Sequence, residues 1–313
     1  MADVPTVVEI FAGCGGFGFG FAEKGFRITH AVEGFRPPME TYVANVPVDA
    51  WHLSDVRKVD WDAVERPDVL IGGPPCEAFT VANRDRRKAP LDRLYNDPTG
   101  GLTLHFIKIA KALAPRAFVM ENVPPILELE RELRLLFGRN GFPEIFFHRV
   151  LAEEHGTPSH RERIFISNLP LAPPRTSAKR TVAEAIGDLA SLDAPVANHV
   201  PPRLGKKQLA AVQTLEEGES AYRYQAGDGR AHGNWTRLLA NRLAPTVKGQ
   251  GRFVHPTQER LLTPREHARL MGYPDDYVFH GSINETYDMI GESVPPPVSA
   301  AIAAEVKRLL GNA

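Results

Sequence analysis

Apolar positions in the first half of the chain follow two alternating patterns. Short runs rich in β-branched and aromatic residues, Thr6–Phe11, Arg27–Val32, Asp68–Gly72 and Ala117–Met120, predict strands of the buried kind. Between them, apolar residues return at helical spacing. An amphipathic stretch runs to about Lys24, and Leu102, Phe106, Ile109, Ala110 and Leu113 share one helical face before Pro115 ends it. Strands alternating with helices of this length imply an α/β fold with a doubly wound, mainly parallel sheet, and such sheets bind ligands beyond the carboxyl ends of their strands. Residues just after each strand are therefore the ones to read for chemistry.

The pattern changes near Pro170. Leu169-Pro-Leu-Ala-Pro-Pro-Arg175 reads as a linker, and strand–helix alternation is lost up to about Arg252. A last helix carries Val298, Ile302, Val306, Leu309 and Leu310 on its apolar face. The expected organisation is a catalytic and cofactor-binding segment at 1–169, a small segment at 170–255, and a return to the large domain at 256–313. There is no internal repeat. The 313 residues carry 37 Lys and Arg against 38 Asp and Glu. No apolar run approaches the roughly 18–20 residues of a membrane span, and Met-Ala-Asp-Val-Pro lacks the layout of a secretory leader. Two cysteines, Cys14 and Cys76, rule out a disulfide framework and a cysteine-built zinc site, so a reducing cytoplasm is expected. The near-zero net charge hides a partition. Residues 156–262 hold 15 Lys and Arg against 9 Asp and Glu, while the remainder holds 22 against 29. A basic stretch on an otherwise acidic chain is compatible with salt-sensitive nucleic-acid binding.

Four strand ends carry candidate chemistry. Gly13, Gly15 and Gly18 fit G-x-G-x-x-G after the first strand, and Glu33 closes the next strand where a ribose-binding acid belongs. By itself this fits a nicotinamide, a flavin or a sulfonium nucleoside equally, or a tight turn without ligand. Gly72-Gly-Pro-Pro-Cys-Glu-Ala-Phe-Thr80 sets Cys76 on a stiff turn. An isolated cysteine is usually inert core, but the rigid, polar-flanked turn favours a nucleophile. Glu121 closes the strand Ala117–Met120, where an unemployed carboxylate is unusual. Arg161 and Arg163 alternate around Glu162 at the mouth of Ile164–Ile166 and so point to one side of it. His155 and His160 show no metal-ligand spacing and read as structural, and no metal site is expected.

Together these residues resemble the cytosine-C5 DNA methyltransferase family, in the family's motif order and over nearly the whole chain. Phe11-Ala-Gly-Cys-Gly-Gly16 resembles the first cofactor motif, Glu33 the ribose acid, and Asp55 in Ser54-Asp-Val56 the acid at the adenine. Pro74-Pro-Cys76 matches the nucleophile motif, Glu121-Asn-Val123 the base-binding motif, and Arg161-Glu-Arg163 the arginine motif. Arg242-Leu-Ala-Pro-Thr246, Leu262–Asp275 and Gly291-Glu-Ser-Val-Pro295 are similar to the later motifs. The resemblance implies a Rossmann-like, S-adenosylmethionine-dependent methyltransferase fold with a mixed sheet and a small irregular, mostly β recognition domain. It implies Cys76, Glu121, Arg161 and Arg163 as catalytic. Phe11, Gly13, Cys14, Gly15, Gly16, Glu33, Gly34, Asp55, Val56, Gly73, Pro75, Glu77, Leu102, Glu292, Ser293 and Val294 are implied around S-adenosylmethionine.

The implied mechanism is attack of Cys76 on C6 of a flipped cytosine, with Glu121 on the N3/N4 edge and Arg163 supporting O2. The implied partner is double-stranded DNA, bound by a cytoplasmic, nucleoid-associated monomer with no membrane contact. The loop Arg84-Asp-Arg-Arg-Lys88 suits phosphate contact through Arg84, Arg86, Arg87 and Lys88. The recognition segment, with 78 residues between Arg163 and Arg242, offers Arg203, Lys206, Lys207, Arg223, Arg230, His232, Trp235 and Arg237 by residue type, with Thr246 just beyond. The chain departs from the family at Glu77 for the usual glutamine, Glu292 for asparagine, Gly34 for a large residue, and Ser159-His160 ahead of the arginines. The two new carboxyls are either compensating polar drift or a proton-sharing pair that alters the choice of sulfonium donor. Further alternatives are an oxidoreductase, an RNA cytosine methyltransferase, and a non-catalytic DNA-binding relative. The oxidoreductase leaves Cys76, Glu121 and Arg163 without a role.

Overall fold

In the computed structural model, residues 4–227 and 229–311 are described. The first three residues of the N-terminal stretch read for a leader lie outside them. The strands are β1 (Thr6–Ile10), β2 (Arg27–Glu33), β3 (Val48–Leu53), β4 (Val69–Gly72), β5 (Ala117–Asn122), β6 (Phe146–Leu151), β7 (Glu162–Ser167), β8 (Ser220–Gln225), β9 (Ala231–Arg237) and β10 (Phe253–Val254). The helices are α1 (Gly16–Glu23), α2 (Arg36–Asn45), α3 (Pro90–Tyr95), α4 (Leu102–Leu113), α5 (Glu130–Arg139), α6 (Val182–Ile186), α7 (Lys206–Gln213), α8 (Pro264–Leu270), α9 (Ile283–Glu292) and α10 (Pro296–Gly311).

The first seven strands form one sheet in the order β3-β2-β1-β4-β5-β7-β6. Neighbours from β3 to β5 run parallel, and β7 runs antiparallel to both β5 and β6. The expected mixed, doubly wound α/β sheet is present. Every residue of β4 and β5 is buried, as expected of central strands covered by helices on both faces. One apolar core lies under α1 and α10, with Phe17, Phe21, Ile28, Ile302 and Val306. The other lies under α4 and α5, with Leu70, Phe106, Phe118, Leu133 and Phe137. The strand order reverses direction between β1 and β4, and that switch point directs ligands to the carboxyl edge there.

A second sheet, β10-β9-β8, belongs to the small segment. The third core joins Val182, Ile186, Leu238 and Phe253 of that segment to Leu262, Leu270, Tyr273 and Ile290. Apolar packing therefore runs continuously across residue 255. Buried Glu266 completes the capping box of Thr263 at the start of α8 and accepts Arg260 at 2.7 and 2.8 Å, stiffening that junction.

Candidate active site

β1 ends in a strained turn. Phe11 has φ +54°, a left-handed conformation that bulky residues rarely adopt, and it opens the glycine loop. Gly16 heads α1, where a methyl group would lie 2.3 Å from the Val294 carbonyl and 2.4 Å from the Tyr273 hydroxyl. Glycine there lets the C-terminal segment close onto the loop. Gly15 meets Tyr277 and Val46 in the same way, and the Cys14 side chain is buried on Tyr273 and the Met289 carbonyl, both at 3.4 Å. At Cys14, Gly15 and Gly16 the faces where side chains project, or would project, pack against protein, so any approach to the expected cofactor is through the backbone. Only the position of Gly13, which meets nothing within 4 Å, looks onto open space.

Two acids stand at the next strand ends. The backbone N–H groups of Gly13 and Phe35 donate to the two oxygens of Glu33 at 2.8 and 2.9 Å. Burial of Glu33 raises its pKa, against the pull of those N–H groups. Asp55, after β3, caps a short turn and accepts from Arg57 through the backbone N–H at 2.9 Å and Nε at 2.9 and 3.0 Å. The Arg57 guanidinium holds the Asp55 carboxyl down at about 2. Beside them, Phe35 leaves 74% of its surface exposed. It escaped the sequence reading, which looked for a ring at Gly34; a single aromatic one position further on is the signal that could have found it.

Cys76 follows β4 on a tight turn in which the Phe79 and Thr80 N–H groups donate to its carbonyl at 2.9 and 2.8 Å. The turn is braced from β5 by Asn122, whose Nδ2 donates to the Pro74 carbonyl at 3.2 Å. Cys76 is half-buried, and burial pushes its thiol up to about 11. Arg163 and Arg161 oppose that rise, whereas Glu121 and Glu77 add to it. Glu121, buried at the end of β5, pairs with Arg163 of the antiparallel β7 at 2.9 Å. A Cβ on Gly73 would stand 3.2 Å from Glu121 Oε2, so the carboxyl overhangs the turn that carries Cys76. Burial raises the Glu121 pKa, with Arg163 and Arg161 in opposition.

Arg161, expected among the catalytic groups, makes contacts that tie separate elements together. Its buried guanidinium donates to the carbonyls of Val247 at 3.0 Å, Gly291 at 2.9 Å and Ser293 at 2.8 Å. It thereby ties the strand of Arg163 to the later motifs. The Arg242–Thr246 segment joins at the same seam, where the His160 N–H donates to the Ala244 carbonyl at 2.8 Å. Ser293 Oγ is turned back onto the Ile290 carbonyl at 2.8 Å, and Val294 and Val56 are buried. Glu292 is exposed, but the walls around it desolvate its carboxyl. Glu77, Asp288 and Glu33 add negative charge, so its pKa is pushed up to about 7.

His155 is structural as expected, with Nδ1 at 2.8 Å from the Pro174 carbonyl. His160 does have an acidic partner, Glu153, at 2.8 Å.

The candidate DNA residues divide. Arg84, Arg87, Lys88, Arg203, Lys206, Lys207, Arg223 and Arg230 are exposed. Arg86 instead turns inward to the Phe79 carbonyl at 3.0 Å, with Glu128 at 3.9 Å. Arg237 is 5% exposed and donates to the carbonyls of His255, Gln258 and Val212 at 2.9 to 3.2 Å, and to Glu259 at 3.2 Å. Arg237 is not available to DNA as placed, because carbonyls occupy most of its guanidinium donors, whereas half-buried Arg86 is held by one. Arg93, missed from sequence, is buried and holds the loop through the Arg87 and Lys88 carbonyls at 2.7 and 2.8 Å. Its helical position gave no signal of that long reach.

Acids at successive strand ends, then a cysteine, then a buried Glu–Arg pair define a class: a group-transfer enzyme pairing a nucleoside-type donor with a covalent nucleophile. Comparison with known proteins narrows it. Residues 5–308 match the family model for C-5 cytosine-specific DNA methylase. The chain is 44% identical to M.MJ0563P of Methanocaldococcus jannaschii, provisionally named a type II methyltransferase, over 97% of this chain and 100% of that protein. It is 30% identical to the type II methyltransferase M1.HphI of Haemophilus parahaemolyticus, over 98% and 88% respectively. Among solved structures, a prophage-encoded protein of E. coli superposes with TM-score 0.78 at 24% identity, covering 98% of this chain and 99% of that one. Spodoptera frugiperda DNMT2, as a mutant, superposes with TM-score 0.64 at 16% identity, covering 97% and 99%. The chain belongs to the C-5 cytosine-specific DNA methylase family and is a DNA (cytosine-5-)-methyltransferase.

Proposed function

We propose that this chain methylates a cytosine flipped out of double-stranded DNA, with Cys76 as the covalent nucleophile and S-adenosylmethionine as donor. The observation that carries the reading is the convergence of Cys76 with the Glu121–Arg163 pair at adjacent carboxyl ends of β4, β5 and β7. Cytosine C5 is a weak nucleophile, so the ring must first accept electrons. Cys76 Sγ adds to C6 as the thiolate, and the electron pair of the C5=C6 bond moves toward C5 and the N3–O2 face. Glu121, whose pKa burial raises, donates a proton at N3, while Arg163 holds Glu121 in place and faces the developing charge. Once C5 is methylated, N3 returns its proton to Glu121, the C5 proton passes to solvent water, and the C5–H pair re-forms C5=C6 as Cys76 Sγ leaves with the C–S pair, restoring the aromatic ring. Arg161 acts without touching the base, by holding the strand of Arg163 and by its charge beside Cys76 and Glu121.

The residues present fit the donor. Open space at Gly13 and Gly34 leaves room for a nucleoside between Glu33 and Asp55, and Phe35 offers the exposed ring that Gly34 lacks. Glu33 keeps lone pairs for a ribose diol, and Glu77 and Glu292 suit the positive sulfonium. When bound, the group supplies an electrophilic methyl on sulfur. Arg84, Arg87, Lys88, Arg203, Lys206, Lys207 and Arg230 are assigned to DNA, as is Thr246, and the enzyme works as a monomer in the cytoplasm. No metal takes part in this reading. Among the described residues no helix is long and apolar enough to cross a membrane.

The test is trapping on duplex DNA containing 5-fluorocytosine. A covalent adduct should form and vanish in Cys76→Ser; absence of any adduct in the wild-type chain sinks the reading. A second reading is favoured by Glu292 alone, whose carboxyl is pushed up to about 7 by desolvation first and by its acidic neighbours, Glu77 foremost, second. Here the pair selects a donor whose transferred group is not plain methyl. Unchanged donor choice, donor affinity and pH profile in Glu77→Gln with Glu292→Asn would reject it.

A further inference from the structure

The small sheet touches the large one's nucleophile segment directly. The tip of the β8–β9 hairpin reaches the segment after Cys76, and the Gly227 N–H donates to the Val81 carbonyl at 2.8 Å. A Cβ at position 227 would lie 2.2 Å from the Asn83 carbonyl oxygen and 3.2 Å from that of Val81, so only glycine permits this approach. Asn83 carries the contact onward. Its Nδ2 donates to the Glu77 carbonyl at 2.9 Å, and its Oδ1 accepts the Asp85 N–H at 2.9 Å. Glu77 is covalently next to Cys76. An unbroken path of main-chain contact and one side-chain bond thus runs from the recognition hairpin to the nucleophile.

The rest of the path is stiff. Arg86 and Arg93 brace the same loop through Phe79, Arg87, Lys88 and Glu128, and the hairpin contact ties that braced loop to the recognition sheet. On the other side, the hairpin is closed by the Ala226 N–H on the Arg230 carbonyl at 2.9 Å, and Ala226 is buried. A displacement of the hairpin is therefore passed to the loop rather than absorbed within it.

We infer that Gly227 and Asn83 are positioning residues that couple target recognition to Cys76: the hairpin tip grips the nucleophile loop, so a base sequence that shifts the hairpin changes where the thiol stands. This rests on the methyltransferase reading for its biological meaning, but the coupling itself is measurable in the chain alone. Cys14 is buried, so alkylation by iodoacetamide under native conditions reports Cys76. In Gly227→Ala, and separately in Asn83→Ala, alkylation should quicken by about fivefold, the order expected when one ordinary hydrogen bond is lost. The rate ratio between the site the enzyme modifies and a single-base mismatch should shrink by a similar factor, with KM for the donor unchanged. Should Gly227→Ala fail to fold, Asn83→Ala decides, because it leaves the hairpin intact. Wild-type alkylation rates in the folded variants would overturn the coupling, and so would faster alkylation with undiminished discrimination. If the wild-type chain forms no adduct with 5-fluorocytosine DNA, the methyltransferase reading fails while the alkylation result still stands.

Discussion

The nucleophile edge of the large sheet and the small recognition segment use the same residue type in opposite ways. At the edge, Arg163 is half-open and pairs with Glu121 where a reacting base would sit, while Arg161, two residues away, is sealed on three carbonyls. In the recognition segment, Arg203 lies in solvent at the entry to α7, while Arg237 at the end of β9 is sealed on three carbonyls from two separate stretches. Each region therefore sets a partly open arginine beside one spent on architecture. At the edge, strand position singles out the group of residues that matters. In the recognition segment, where regular alternation is absent, residue type alone chose Arg237 wrongly. A buried guanidinium brings five donors to carbonyls that irregular loops leave unpaired, and that is how a segment with little regular structure satisfies its backbone.

The largest effect expected on this contrast is at Cys76. Cys76→Ser should lower the methylation rate by roughly three orders of magnitude or more with little change in melting temperature, measured by methyl incorporation and calorimetry. A comparable drop in stability would mean that the turn after β4 is structural. Next comes Arg237→Ala, which should destabilise the fold by about 3 kcal/mol because several carbonyls lose buried partners. If it instead unfolds normally and only weakens DNA binding, the architectural assignment is wrong.

A third test uses pH. With the Cys76 thiol pushed up to about 11, the reactive thiolate is scarce near neutrality and grows about tenfold per pH unit. Alkylation should rise about 100-fold from pH 7 to 9 without levelling. Arg163→Gln, removing a cation that lowers the value, should slow it further at any fixed pH in this range. A plateau below pH 9 would show that the cations outweigh burial. The smallest effect is at Arg203→Ala. Stability should hold, DNA affinity should fall by less than about 1.5 kcal/mol, and the salt slope should lose about 0.9 if one phosphate contact is removed. An unchanged slope would take Arg203 off the DNA.

Much of the site was legible because parallel sheets place function at strand ends. Glu33, Cys76 and Glu121 each close a buried apolar run, and each stands at the carboxyl edge in the fold. The glycine loop was legible as a loop, but not the packing that also requires its glycines. Gly15 and Gly16 are small because Tyr277, Val46, Tyr273 and Val294 press on them, and those neighbours lie from tens to hundreds of residues away in sequence. His160 shows the same limit in miniature, since Glu153 reaches it by the path of the chain and not by any metal-like spacing.

What the sequence determined alone was local and periodic: which runs are buried strands, where they stop, and which reactive side chain follows each stop. Backbone sterics and apolar periodicity act over a few residues, so they are written in the order of residues. The tertiary structure alone decided which arginines are spent on carbonyls, and that Phe35 stands exposed beside Glu33. It also decided that Gly227 of the small sheet touches the loop of Cys76. Those outcomes depend on the desolvation of each charge and on which distant carbonyls lack a partner, and neither quantity exists until the chain has packed.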